Sequence, residues 1–147
     1  MKKKVLIGIV IVFVLLVFTA VFSVSFRQNQ SLRSLENEVR TFSLPPSIER
    51  VAIKSSIGDS GGNGDYSTHR VVLVVKTELN IIELGETIEN MNLRFPKHYK
   101  NSDNIPIYYI SKCDNSTFQS SRHFTMNFEE LKVVKDYSNY YFIEFVE

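Results

Sequence analysis

The chain has 147 residues, 44% of them hydrophobic and 12% aromatic, with one cysteine and a formal net charge of +1. That length suits a single domain, and one cysteine excludes a framework of intrachain disulfides. Three of the 17 basic residues are Lys2, Lys3 and Lys4, so residues 27–147 hold 14 against all 16 acidic ones, a net of −2, and no basic field is available to attract nucleic acid.

The first element is an apolar run from Val5 to Phe26, preceded by Lys2–Lys4 and closed by Arg27. Twenty-two helical residues rise about 33 Å, against a hydrocarbon core of about 30 Å. The run is longer than the apolar region of a signal peptide, and its best small-residue cleavage site, Ser23-Val24-Ser25, lies very late. The expectation is an uncleaved single-pass anchor over residues 5–26. The short lysine-bearing terminus at 1–4 would be cytoplasmic and the remainder extracytoplasmic.

Residues 27–46 follow as a juxtamembrane segment. Leu32, Leu35, Val39 and Phe42 recur at helical spacing, which predicts a helix that continues out of the membrane and docks on the protein's own domain. Leu44-Pro45-Pro46 ends it.

The expected extracytoplasmic domain, 47–147, opens with a strand over 48–57, with Val51 and Ile53 on one face. A glycine-rich loop covers 58–65, and a second strand over 66–77 carries Val71-Val72-Leu73-Val74-Val75, a run that predicts cover on both faces. Asn80 and Glu83 form a capping-box pair ahead of Ile81, Leu84, Ile88 and Met91, so an amphipathic helix is expected to about Asn92, weakened at Gly85. A polar connection leads to a third strand over 105–111 and a loop over 114–121. Alternating Phe124, Met126 and Phe128 mark a fourth strand, a turn falls near 136–139, and a fifth strand covers 140–146. The β-β-α-β-β-β order predicts an α+β domain whose mainly antiparallel sheet carries one amphipathic helix on a face.

Candidate chemistry is sparse. Gly58-Asp59-Ser60-Gly61-Gly62 matches the string around the nucleophile of chymotrypsin-like proteases, but His69, His98 and His123 all follow Ser60, whereas that family places its base and orienter earlier. A glycine-rich turn explains the string. Asp59, Asn63 and Asp65 have oxygen ligands for a hard cation and are weak metal candidates only, because Gly, Asn and Asp also suit a tight connection. The histidines show no zinc spacing with one another or with Cys113, and Cys113 has no activating setting. No catalytic residue and no cofactor is expected.

The lysine-led anchor, Leu44-Pro45-Pro46, Gly62-Asn63-Gly64-Asp65, Lys76-Thr77-Glu78-Leu79 and Tyr140-Tyr141-Phe142-Ile143 together resemble small membrane-anchored extracytoplasmic proteins of low-GC Gram-positive bacteria. That group has no assigned activity. The resemblance implies a non-catalytic extracytoplasmic domain and carries over no functional residue. The expected function is a tethered binding or interaction module at the cell envelope. Its partners would be the lipid bilayer through 5–26 and an envelope protein or peptide, with no nucleic acid, and the chain would be a monomer or weak oligomer. The alternatives are a pilin-like structural subunit, whose peptidase site and early glutamate are missing here, and a metal-dependent hydrolase using Asp59 or Asp65.

Overall fold

In the computed structural model, residues 2–59, 67–91, 108–120 and 124–146 are described. The elements in chain order are α1 (Lys2–Thr41), β1 (Ile48–Asp59), β2 (Ser67–Thr77), α2 (Ile81–Asn90), β3 (Tyr108–Lys112), β4 (Thr117–Gln119), β5 (Thr125–Asn127), a 3-10 turn (Glu129–Leu131) and β6 (Tyr140–Val146). This is an α+β fold. Four strands pair in the order β1-β2-β6-β3, every neighbour antiparallel, and β4 and β5 form a separate two-stranded ladder.

The sheet is organised by β2. Val71 to Val75 are all at 0% exposure, so this strand is buried on both faces, as its unbroken apolar run predicts. Val71, Leu73 and Val75 point with Ile143 and Phe145 toward the helices, where Leu35 and Val39 of α1 and Leu84 and Ile88 of α2 cover them. Val72 and Val74 point with Phe142 to the other side, where Cys113, Phe118, Met126, Phe128 and Leu131 form a second cluster. The result is three layers: helices, the four-stranded sheet, and the β4–β5 ladder with its 3-10 turn, whose side of the sheet is the hairpin side.

The expected stripe on α1 docks as the spacing predicts. Leu35 and Val39 are buried, and Leu32 and Phe42 pack against them. Arg50 then closes the helix end by donating from Nη2 to the carbonyls of Phe42 at 2.7 Å and Val39 at 3.4 Å, with its guanidinium 5.3 Å from the Phe42 ring. Ser55 donates to Glu36 Oε2 at 2.5 Å, which ties the helix to β1 a second time. Leu32, Leu35, Val39 and Phe42 therefore belong to the domain core, and α1 passes from residue 26 to 27 without a break.

Several expectations about the strands and the helix layer need correction. Val51 and Ile53 do not share a face: a register shift between Arg50 and Ala52 turns Val51 and Ala52 to the hairpin side, while Ile53 packs under the helices. Residues 114–121, expected as a loop, contain β4. The fourth expected strand pairs with β4, not with the main sheet, so there are six strands among the described residues and two helices on one face. Among the described residues, no helix is long and apolar enough to cross a membrane.

Helix α2 begins as expected. Asn80 accepts from Ile82 N at 2.9 Å and Glu83 N at 3.0 Å, and Glu83 accepts from Asn80 N at 2.9 Å, completing the box. A Cβ on Gly85 would meet only Ile110 Cδ1, at 3.8 Å, which is ordinary contact. Gly85→Ala is therefore expected to stabilise the fold by about 0.5–1 kcal/mol, read as a higher unfolding midpoint by circular dichroism.

The Glu36 clasp gives a pH dependence. The Ser55 hydroxyl first, then Arg40, hold the Glu36 carboxyl below its ordinary 4.5. A carboxyl depressed in the folded state adds stability that is fully present above its unfolded value and is lost as pH falls through the lower folded one. Wild type is expected to lose stability below pH 4.5 more steeply than Ser55→Ala, measured by denaturant midpoints across the acid range.

Candidate functional site

Most expected site residues fall outside what the structure describes. Asn63 and Asp65 lie outside the described residues, as do Ser60, His98 and His123. Asp59 ends β1 opposite Ser67, and its side chain is not among those described. His69 is buried in β2 at 7% exposure, opposite Ile57. Among the described residues no group of three or more His, Cys, Asp or Glu side chains is placed to hold a metal. Cys113 is buried under the hairpin, and burial first, then nearby Asp114, push its thiol up to about 12. A thiol so shifted has no thiolate to offer near neutral pH.

The polar group that stands out is one that reading the sequence missed. Arg70 on β2 and Glu144 on β6 are 2% and 5% exposed, and Arg70 Nη1 donates to Glu144 Oε1 at 2.5 Å. The same nitrogen donates to Ser120 Oγ at 2.8 Å, and Ser120 Oγ donates to Glu144 Oε2 at 3.5 Å. The guanidinium lies 5.3 Å from the Phe124 ring, and Arg70 Nε has no hydrogen-bond partner among the described residues. Both charges sit on the hairpin-facing side of the sheet, in the rows of Val72 and Phe142, beyond the end of the apolar cluster. Their signal was present in the sequence: a charge directly abutting the apolar run in each strand, Arg70 before Val71–Val75 in β2 and Glu144 between Ile143 and Phe145 in β6. Nothing local says that strands 74 residues apart are neighbours.

Chemically, this triad is saturated. The Ser120 hydroxyl meets a cation and a carboxylate already bound to that cation, not a free base, so it is not arranged as an activated nucleophile. Its effect is to fasten β2, β6 and the β4–β5 ladder to one another.

Two open clefts flank the other end of the hairpin side. One, of about 450 Å³, is lined by Lys76, Val133, Val134, Lys135, Asp136, Ser138, Asn139 and Tyr140. Lys76 Nζ is 5.9 Å from the Tyr140 ring, and Val133 is 83% exposed. The Ser138 backbone N–H holds the Asp136 carboxyl below its usual range, so it stays ionised beside the lysines. The second cleft, of about 270 Å³, lies between Lys112, Asn115, Gln119 and their neighbours. No protein-family profile, no curated protein and no solved structure matches this chain.

Removing one partner of a buried pair strands the other charge, which costs about 3–5 kcal/mol, whereas replacing both with apolar groups is often nearly neutral. Glu144→Leu and Arg70→Met are each expected to destabilise by about 3–5 kcal/mol, with the double variant more stable than either, read from denaturant unfolding as a double-mutant cycle.

Proposed function

We propose that this chain is a single-pass membrane protein that crosses the cell membrane through residues 5–26. Its N-terminus is cytoplasmic, and residues 47–147 form a non-catalytic binding or interaction module at the cell envelope. The observation that carries the reading is the exposure of Val10 to Phe18, each 48–66% accessible, followed by Phe22 at 60% and Phe26 at 70%. Nine consecutive exposed apolar positions circle the helix about two and a half times, so no single protein groove covers them. A lipid environment covers them all. Leaving such side chains in water forgoes about 1.5–3 kcal/mol each.

Other features support the same placement. The hydroxyls of Thr19 and Ser23 donate to carbonyls four residues back, at 2.8 and 2.6 Å, so they need no water. The run Val5–Phe26 holds no charge, and Lys2–Lys4 favour a cytoplasmic terminus. The resemblance to anchored extracytoplasmic proteins agrees. Within the module, the cleft between Lys76, Lys135 and Tyr140 offers cationic and aromatic contacts to a partner.

Carbonate extraction of membranes from cells making the full chain is expected to leave wild type in the pellet. A Val14→Arg, Leu16→Arg variant, penalised by about 2.5–3.5 kcal/mol per charge at mid-bilayer, should appear in the supernatant. Wild type in the supernatant would sink the anchor. Protease outside sealed cells should digest the module, and complete protection would overturn the orientation. A photo-crosslinker at Val133 should capture one reproducible partner, and adducts no different from those at exposed Ser34 would remove the interaction reading.

A further inference from the structure

Helix α1 is not joined to the domain by a tether. It runs unbroken to Thr41, and its last turns are core. The contacts also give its direction: Glu36 meets Ser55, and the carbonyls of Val39 and Phe42, farther along the helix, meet Arg50, earlier in β1. Lower helix numbers lie against higher strand numbers, so α1 runs against β1. The exposed half of the helix therefore projects past the sheet end formed by the close of β1, the start of β2, the close of β6 and the start of β3.

Distances decide how close that end comes to the apolar half. From Glu36 back to Phe26 is ten helical residues, a rise of about 15 Å. From Ser55 on to Asp59 is four strand residues, about 13 Å in the same direction, or about 10 Å if the strands lean 40° from the helix. The sheet end at Asp59 then stops about 2–5 Å short of the level of Phe26, on its aqueous side, inside a headgroup layer about 5–8 Å thick. Exposed Arg27 and Arg33 flank that level and have guanidinium donors suited to lipid phosphates.

Resting on the membrane-anchored reading above, we propose that α1 holds the domain upright on the bilayer. The Gly58 and Val146 end of the sheet is seated among lipid headgroups, and the Lys76–Tyr140 cleft is turned away from the membrane. The partner of the near end is the lipid surface, and the far end is what the chain presents to everything else. The cleft falls at that far end because Lys76 and Tyr140 face each other at the opposite limit of the β2–β6 ladder from Arg70 and Val146.

The test uses the full chain in phosphatidylcholine–phosphatidylglycerol vesicles, with single cysteines at Phe13→Cys, Val146→Cys and Val133→Cys carrying a fluorophore. Native Cys113 is buried with its thiol pushed up to about 12, so it does not compete for label. Nitroxides on the acyl chains should quench position 13. Nitroxides on the headgroups should quench position 146 at least about threefold more than position 133. Inserting seven helix-forming residues after Gln30 keeps the helical phase within about 20°, lifts the domain by about 10 Å, and should abolish the difference. Equal headgroup quenching at 146 and 133, with 13 still quenched from the acyl chains, overturns the upright seat and leaves the anchor standing. No acyl-chain quenching at 13 overturns the anchor, and the seat with it.

Discussion

The structure depends on one strand that has no solvent side. Five consecutive residues of β2 at 0% exposure require apolar cover above and below, and the rest of the domain supplies it. One face takes the end of α1 and all of α2, and the other takes the short β4–β5 ladder and the 3-10 turn. Flanking β1 and β6 complete its hydrogen bonds, leaving β1 and β3 as the edges. The β1 edge carries its own protection: the register shift at Arg50–Ala52 bends it, and Lys54 turns inward to donate to Asn127 O at 2.5 Å.

This need for double cover explains why a helix that enters from an apolar, exposed segment ends inside the core. Leu35 and Val39 together bring about 3–6 kcal/mol of transfer free energy, an upper figure because the unfolded chain is partly collapsed. Arg50 adds the hydrogen bonds that helix carbonyls otherwise seek from water, and Leu44-Pro45-Pro46 turn the chain back into β1, with Ile48 N bonded to Pro45 O at 2.9 Å. The docking is thus specified by apolar spacing, a polar cap and a stop, all within about twenty residues of sequence.

What was legible in the sequence follows from the range of the interaction behind it. The capping box at Asn80 and Glu83, the buried pair Leu84 and Ile88, the stripe on α1 and the doubly covered run in β2 are each encoded within a few residues, and each stands where the spacing put it. The features missed are set by pairings between distant segments. The bulge in β1 exists only relative to β2, so alternation alone placed Val51 on the wrong face. Thr117–Gln119 is a strand only because Thr125–Asn127 lies beside it. Arg70 and Glu144 form a pair only because β2 and β6 are neighbours, a fact that no window of sequence contains. Of the candidate cation ligands, Asn63 and Asp65 lie outside the described residues, as does the side chain of Asp59.

The position of the buried ion pair follows the same geometry. Arg70 and Glu144 lie at the end of the sheet where the apolar filling of the hairpin side stops, and where the hairpin still has to be held to β2 and β6. An apolar residue at either position would extend the core but would leave the other charge buried alone, so the two are constrained to change together. Ser120 takes both partners into one network and ties in the end of β4, and the Phe124 ring across the guanidinium ties in the approach to β5. Two strands and a ladder from three separate stretches of chain are thereby fixed at one point. That point lies toward the end of the domain from which α1 projects, where a sheet joined rigidly to a helix would otherwise be free to splay.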